Sequence, residues 1–130
     1  MANRYDGILI CTDLDGTMVA SDGTVSDRNA AAVMRFERQG GLFSVATGRL
    51  PSHFATLGGK FMPNAPVVTF NGAAIVDLAK EKTIVTRPLR RPLARLVREL
   101  EPFADALDRV MLYSAVRAEN LRDAGFLTTI

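Results

Sequence analysis

The sequence has few of the features that define membrane, secreted or disulfide-bonded proteins. It contains one cysteine, Cys11, which excludes a disulfide within the chain. Because Cys11 falls inside an apolar run, it is predicted to be a small core residue. No apolar run approaches the ~18 residues that a membrane span requires, and residues 1–6 are too polar for a signal peptide. These absences predict a cytoplasmic protein without a membrane partner.

A basic surface for nucleic acid is also absent. The formal net charge is only +2, and no aromatic residue lies among the clustered arginines to stack on bases. These arginines alternate with apolar residues at helical spacing, which is typical of a solvated helix face. They are Arg87, Arg90, Arg91, Arg95 and Arg98. We therefore predict no nucleic-acid partner.

What the sequence does contain is an alternation of apolar strands and amphipathic helices, without repeats or low-complexity tracts. This order predicts an α/β protein with a Rossmann-like parallel sheet and flanking helices. The predicted strands are 7–12, Leu42–Ala46, Val67–Phe70, a hairpin of Ala73–Asp77 with Thr83–Thr86, and Val110–Tyr113. The predicted helices are Asp27–Gln39, a short one near Pro51–Leu57, and an arginine-rich one that ends near Leu107. With 130 residues, 48% of them hydrophobic, the chain is long enough for a compact core.

The first of these helices has the clearest signals. Ser26 is a typical N-cap, and Gly40-Gly41 is a typical stop. Its apolar face is predicted to consist of Ala30, Val33 and Met34. Before it, the segment Thr17–Val25 is predicted to form a small hairpin flap.

Two acidic residues, Asp13 and Asp15, directly follow the apolar run 7–12, which we interpret as a buried strand of the parallel sheet. Ligands of open α/β sheets bind beyond the carboxyl ends of such strands. Two neighbouring carboxylates repel each other unless a cation or a proton intervenes, and Mg2+ commonly joins carboxylates to a phosphate. Gly16 permits a sharp turn close to an anion, and Thr17 adds a hydroxyl. The pattern therefore indicates phosphoryl chemistry, in which one Asp attacks and the other transfers protons.

Two other interpretations of these acids compete with this one. An EF-hand calcium loop starting at Asp13 would need its glycine at Met18 and its bidentate Glu at Thr24, so the spacing excludes it. A plain Asp15-Gly16 hairpin turn stays open, although it leaves Asp13 unexplained.

A second polar group, Thr47-Gly48-Arg49, follows the predicted strand Leu42–Ala46. Its hydroxyl, backbone donors and guanidinium could converge on the same anion as Asp13. The alternative is that Thr47 only caps the helix beginning near Pro51. His53, the only histidine, is interpreted as a surface residue.

Three segments together resemble the haloacid dehalogenase superfamily, whose members are mostly Mg2+-dependent phosphatases. Asp13-Leu14-Asp15-Gly16-Thr17 resembles the first motif, and Phe43-Ser44-Val45-Ala46-Thr47-Gly48-Arg49 resembles the second. Pro66-Val67-Val68-Thr69-Phe70-Asn71-Gly72-Ala73 resembles the segment after the next core strand in the Cof-like branch. The resemblance covers about the first ninety residues.

The resemblance implies a role for each matching residue. Asp13 would be the nucleophile that forms an aspartyl-phosphate, Asp15 the acid and base, and Thr47 the holder of a phosphoryl oxygen. Mg2+ would bind through the Asp13 side chain and the Asp15 backbone carbonyl. The residues implied to face the substrate are Leu14, Gly16, Thr17, Gly48, Arg49, Asn71 and Gly72. The substrate would be a small phosphorylated metabolite.

The resemblance also implies an organisation into residues 1–87, the amino-terminal part of the core, and 88–130, the beginning of an α/β cap. The family's third-motif lysine and fourth-motif acidic pair would lie after that cap, and neither has a counterpart here. The sequence therefore predicts weak or no phosphatase activity for this chain alone. It also predicts self-association, because uncovered sheet edges favour it. The alternative function is a non-catalytic module that binds phosphate or metal or associates with itself.

Overall fold

The computed structural model describes residues 3–57, 59–60, 62–88, 93–106, 111–114 and 125–129. The strands are β1 (Leu9–Asp13), β2 (Leu42–Ala46), β3 (Val67–Thr69), β4 (Ala74–Asp77), β5 (Lys82–Thr86), β6 (Met111–Ser114) and β7 (Gly125–Thr129). The α-helices are α1 (Asp27–Arg38) and α2 (Leu93–Leu100), and short 3-10 helices cover Pro51–Leu57, Phe70–Gly72 and Glu101–Ala106. Among the described residues, no helix has the length and apolar character needed to cross a membrane.

The larger sheet has five strands in the order β1-β2-β3-β4-β5. The first three strands are parallel, with Asp13 opposite Ala46 and Ala46 opposite Val68. The last two run antiparallel as the predicted hairpin. The predicted α/β fold is thus confirmed, with a mixed rather than wholly parallel sheet. Because β1, β2 and β3 point the same way, the segments that follow them emerge at one edge.

Helix α1 confirms the predicted cap. The Ser26 side chain accepts a hydrogen bond from the Asn29 backbone N–H at 3.2 Å, which satisfies one of the unpaired donors of the first turn. Ala30 and Val33 are buried as predicted. Met34 is 41% exposed, so its predicted core position is wrong. The buried face includes Phe36 instead, which packs against the core cluster. This cluster consists of Leu14, Val19, Val25, Ala30, Val33, Phe43, Val45, Phe54, Val67, Ala74 and Val76.

Strand β1 differs most from the prediction. Ile8, Leu9 and Ile10 are 46%, 57% and 42% exposed, and Cys11 is exposed too. The strand is therefore not buried, and the core position predicted for Cys11 is wrong. The physical reason is that, among the strands that the structure describes, β1 is at the end of the five-stranded sheet and pairs only with β2. A short apolar run has the same composition in a central strand and at an edge, so the pattern could not distinguish the two.

The predicted flap before α1 is a compact turn rather than a pair of strands. It contains isolated bridges of Val19 with Asp15 and with Val25. Both valines are almost fully buried, at 1% and 2% exposure. The segment thus packs into the core beside the acids.

The carboxyl-terminal elements follow the predicted order, with one addition. The arginine-rich helix is α2 followed by the 3-10 turn Glu101–Ala106, and β6 matches the predicted strand Val110–Tyr113 within a residue. Strand β7, which pairs antiparallel with β6, was not predicted. Arg90, Arg91 and Pro92 lie outside the described residues, as do Leu107 and Val110.

Asn64 connects the start of β2 to its surroundings. Its Oδ1 accepts from the Phe43 N–H at 2.8 Å, and its Nδ2 donates to the Gly41 carbonyl at 3.0 Å. Its own N–H donates to Glu37 Oε1 at 3.2 Å. Partial burial raises the pKa of the Glu37 carboxyl, and this backbone hydrogen bond opposes the rise.

Replacing Asn64 with Ala is expected to lower the free energy of unfolding by about 1–3 kcal/mol, because two partly buried backbone groups lose their partners. Urea unfolding followed by circular dichroism measures the change. Asn3→Ala, at an exposed position, serves as the control. A loss below about 0.5 kcal/mol, the range of ordinary surface substitutions, would show that water replaces the amide.

Candidate functional site

The candidate site lies where β1, β2 and β3 end. Asp13 is the last residue of β1 and is exposed, and Thr47 follows the β2 residue that pairs with it. The Thr47 N–H donates to the Val68 carbonyl at 3.0 Å, and the Asn71 N–H donates to the Thr47 carbonyl at 3.2 Å. Neighbouring strands lie about 4.8 Å apart. The segments carrying Asp13, Thr47 and Asn71 therefore occupy adjacent positions at one edge.

A tight turn fixes the residues after Asp13. Leu14 is fully buried, and its carbonyl accepts from the Val19 N–H at 2.8 Å. The Gly16 N–H donates to the Val19 carbonyl at 2.9 Å. Gly16 has φ +77°, a left-handed conformation that strains any residue with a β-carbon. This explains the glycine predicted to turn the chain sharply.

Within that turn, the Thr17 hydroxyl lies 3.5 Å from Asp13 Oδ2 as a hydrogen-bond donor. Leu14, by contrast, can offer a ligand only its backbone, because its side chain belongs to the core. The turn thus brings Thr17 to Asp13 and directs Leu14 away.

Asp15 and Arg49 form an ion pair across 34 positions of sequence. Arg49 Nε donates to Asp15 Oδ1 at 3.1 Å and to Oδ2 at 3.0 Å, and Nη2 also contacts Oδ1. The Arg49 side chain is 26% exposed and that of Asp15 54%. Sequence reasoning placed both residues at the site without predicting this pairing, since no local pattern links positions so far apart.

The hydroxyl of Thr47 makes a local contact. Thr47 is only 6% exposed, and its Oγ1 accepts from the Arg49 N–H at 3.1 Å. This is a short Thr turn completed before the 3-10 helix begins at Pro51. A hydroxyl that accepts in this way can still donate its own proton to an oxygen of a bound anion.

The segment after β3 has an unusual backbone. Phe70, Asn71 and Gly72 have φ values of 52°, 53° and 93°, and such a conformation is costly for a bulky residue. The Phe70 N–H donates to the Arg49 carbonyl at 3.4 Å. A β-carbon at Gly48 would lie 2.7 Å from Asn71 Oδ1, so glycine permits the close approach of these two loops.

This turn was not predicted. Asn71-Gly72 is a typical turn signal, but Phe70 was assigned to the preceding strand, which ends at Thr69. Its backbone bonds to the loop after β2 are long-range and leave no local signal.

The donor set for a metal ion is small. In the parts of the chain that the structure describes, no three His, Cys, Asp or Glu side chains group together as a metal site. The Asp15 carboxylate is engaged by Arg49, which leaves the Asp13 carboxylate and nearby backbone carbonyls. This set does not form a closed cage. It fits an ion such as Mg2+, which keeps several waters and is bound by one or two carboxylates together with a substrate phosphate.

Lys60 does not serve this edge as a phosphate-binding cation. Its Nζ donates to the Val25 carbonyl at 3.0 Å and to Asp27 Oδ1 at 2.8 Å. The hydrogen bond and positive charge of Lys60 lower the pKa of the Asp27 carboxyl. Lys60 therefore joins its loop to the start of α1.

Comparison with known proteins identifies the family of this chain. A sequence profile described as haloacid dehalogenase-like hydrolase matches residues 10–115. A Mycoplasma pneumoniae protein named provisionally as a phosphatase is 30% identical over 93 residues, which cover 68% of this chain and 33% of that protein. A similarly named Mycoplasma genitalium protein is 29% identical over 80 residues, covering 62% and 29%.

The fold also matches a solved structure. A haloacid dehalogenase-like hydrolase from B. subtilis aligns with a TM-score of 0.63 and 23% identity, covering 82% of this chain and 36% of that one. The chain thus spans about a third of the length of these relatives. Because the family profile matches more than half of the sequence, the chain belongs to the haloacid dehalogenase-like hydrolase family.

Proposed function

We propose that this chain carries the nucleophile-bearing part of a Mg2+-dependent phosphatase that acts on a small phosphorylated metabolite. The observation that supports this most is the arrangement at the sheet edge. An exposed Asp13 ends β1 beside the loop of Thr47 and Arg49, so a nucleophile, a hydroxyl and a guanidinium occur together. Phosphoryl transfer depends mainly on such positioning and charge stabilisation.

The reaction has two steps in this proposal. A carboxylate oxygen of Asp13 attacks phosphorus, the bond to the ester oxygen breaks, and Asp15 gives a proton to the departing alkoxide. Water then attacks phosphorus of the aspartyl-phosphate while Asp15 takes its proton, which releases phosphate and restores Asp13. The Thr47 hydroxyl would hold a phosphoryl oxygen, and Thr17 would face the substrate beside it. The contact between Thr17 and Asp13 orients the attacking carboxylate.

Mg2+ would be held by the Asp13 carboxylate and the Asp15 backbone carbonyl. When bound, the ion would stabilise negative charge on the phosphoryl oxygens. Among the described residues, Arg49 is a cation at this edge, and its guanidinium would support the same charge. The backbone would approach the phosphate closely at the turns that contain Gly16, Gly48, Asn71 and Gly72.

The remaining assignments belong to the same proposal. Residues 1–87 form the amino-terminal part of the core and 88–130 the beginning of a cap, in which substrate specificity would mainly lie. The protein works in the cytoplasm on a soluble metabolite. The exposed apolar side chains of β1 favour association with another copy.

Trapping of the covalent intermediate tests this proposal. The chain is incubated with an aryl phosphate and Mg2+, quenched in acid, and analysed by intact mass and peptide mapping. We expect a single phosphoryl group on the peptide carrying Asp13, which hydroxylamine removes because acyl phosphates are labile to it. A hydroxylamine-resistant phosphate, or one on another peptide, would contradict the mechanism.

A second candidate function is a non-catalytic module that binds phosphate. It is favoured by the engagement of the Asp15 carboxylate by Arg49, because an acid occupied in this way is not presented to a leaving group. Phosphate binding without any trapped intermediate, in the presence of Mg2+, would support this alternative.

A further inference from the structure

We infer that Arg49 is a positioning residue that exchanges partners: it holds Asp15 in the free protein and releases it when a phosphate group takes the guanidinium. The inference rests on the proposed function and adds a step to it. It concerns how Asp15 becomes available beside the bound phosphate.

The geometry of the pair supports a two-state contact. Two guanidinium nitrogens, Nε and Nη2, are directed at one carboxylate. A guanidinium offers the same fork to a phosphate, which it also binds in bidentate fashion. A phosphate bound beside Asp13 would therefore compete with Asp15 for the donors of Arg49.

The surroundings restrict movement to the two side chains. The Arg49 N–H is bonded to Thr47 Oγ1 and its carbonyl to the Phe70 N–H, while the Asp15 backbone bridges to Val19. The Asp15 side chain is 54% exposed, so it can leave the pair without disturbing the core. An ion pair this exposed is weak enough for a divalent anion to displace.

Because Asp15 and phosphate would compete for Arg49, the exchange predicts measurable changes in phosphate affinity. If Asp15 and phosphate compete for Arg49, removing the charge of Asp15 frees the guanidinium and tightens phosphate binding. Removing Arg49 weakens it. A purely structural pair predicts that both variants change in the same direction, because both break the same connection between loops.

The experiment is a calorimetric titration of the full 130-residue chain with inorganic phosphate. We expect Asp15→Asn to bind phosphate about 5-fold more tightly than wild type does. This factor is at the lower end of the usual range of coupling between sites. We expect Arg49→Gln to bind about 10-fold more weakly, because one charge-assisted contact is lost. Asp27→Asn, which breaks the comparable ion pair with Lys60, should bind phosphate with the wild-type affinity.

The double variant Asp15→Asn/Arg49→Gln separates exchange from simple charge repulsion. Under exchange, the gain from Asp15→Asn requires Arg49 and disappears in the Gln background. Under repulsion alone, the gain of about 5-fold persists there, and that result would overturn the inference.

Failure of the inference is distinguishable from failure of the proposed function. If wild type binds phosphate but the effects of Asp15→Asn and Arg49→Gln are additive or have the same direction, the exchange is overturned and the proposed phosphate site stands. Absence of phosphate binding in wild type and in Asp15→Asn, at millimolar phosphate, overturns both together.

Discussion

Replacing Asp13 with Asn is expected to reduce the Mg2+-dependent hydrolysis of an aryl phosphate by at least ~1,000-fold, because an amide is a very poor nucleophile toward phosphorus. Asp13 is exposed at the end of β1, so the substitution removes the proposed nucleophile without disturbing the core. Single-turnover measurements with the chain in excess over substrate give the sensitivity that the predicted weak activity requires. Unchanged rates in Asp13→Asn would contradict the covalent mechanism.

Asp77→Asn is the matched control for that loss. Asp77 ends β4, which runs antiparallel to β3, so it lies at the edge of the sheet opposite to Asp13. Its carboxylate pairs with Lys80, and hydrogen bonds from the Lys80 side chain and backbone lower the pKa of Asp77. We expect Asp77→Asn to retain the wild-type rate. A comparable loss in both variants would indicate that removing a carboxylate damages the protein in a general way.

Replacing Leu14 with Ala is expected to lower the free energy of unfolding by about 3 kcal/mol, since Leu→Ala in cores usually costs 2–5 kcal/mol. Leu14 is 0% exposed within the cluster that includes Val19, Val25 and Val45. This loss is a large part of the total stability that a domain of this size usually has. Urea unfolding at several protein concentrations measures it and separates it from any effect of association.

Leu9→Ala provides the comparison for Leu14. Leu9 also belongs to the β1 region, but it is 57% exposed. The same deletion there is expected to cost less than about 1 kcal/mol. Equal losses at the two positions would mean that Leu9 is covered in solution, as self-association through β1 requires.

The elements that local chemistry determines could be predicted from the sequence. Ser26 caps α1 because its hydroxyl accepts a hydrogen bond from the Asn29 N–H, an unpaired donor of the first turn. Strand β2 has the predicted bounds, Leu42–Ala46, and the β4–β5 hairpin forms around the predicted turn. Each of these depends on residues close together in the chain.

What depends on distant contacts could not be predicted. Whether β1 is central or terminal depends on what lies beside it, which an apolar pattern does not encode. The Asp15–Arg49 pair joins two loops through side chains whose conformations follow only from the assembled sheet. For the same reason, the left-handed backbone of Phe70 had no signal in its own residue type.

The terminal position of β1 separates the loss of the site's geometry from the loss of the fold, two events that usually occur together. Within the described part of the chain its pairing comes only from β2, whereas most residues of the core cluster lie elsewhere in the sequence. End strands open locally at a lower free energy than central ones. On heating, the amino-terminal part of β1 can therefore fray from β2 and loosen the placement of Asp13 beside Thr47, while Leu14, β2, β3 and α1 keep their packing. We expect the phosphatase activity proposed above to decline at a temperature below that of cooperative melting.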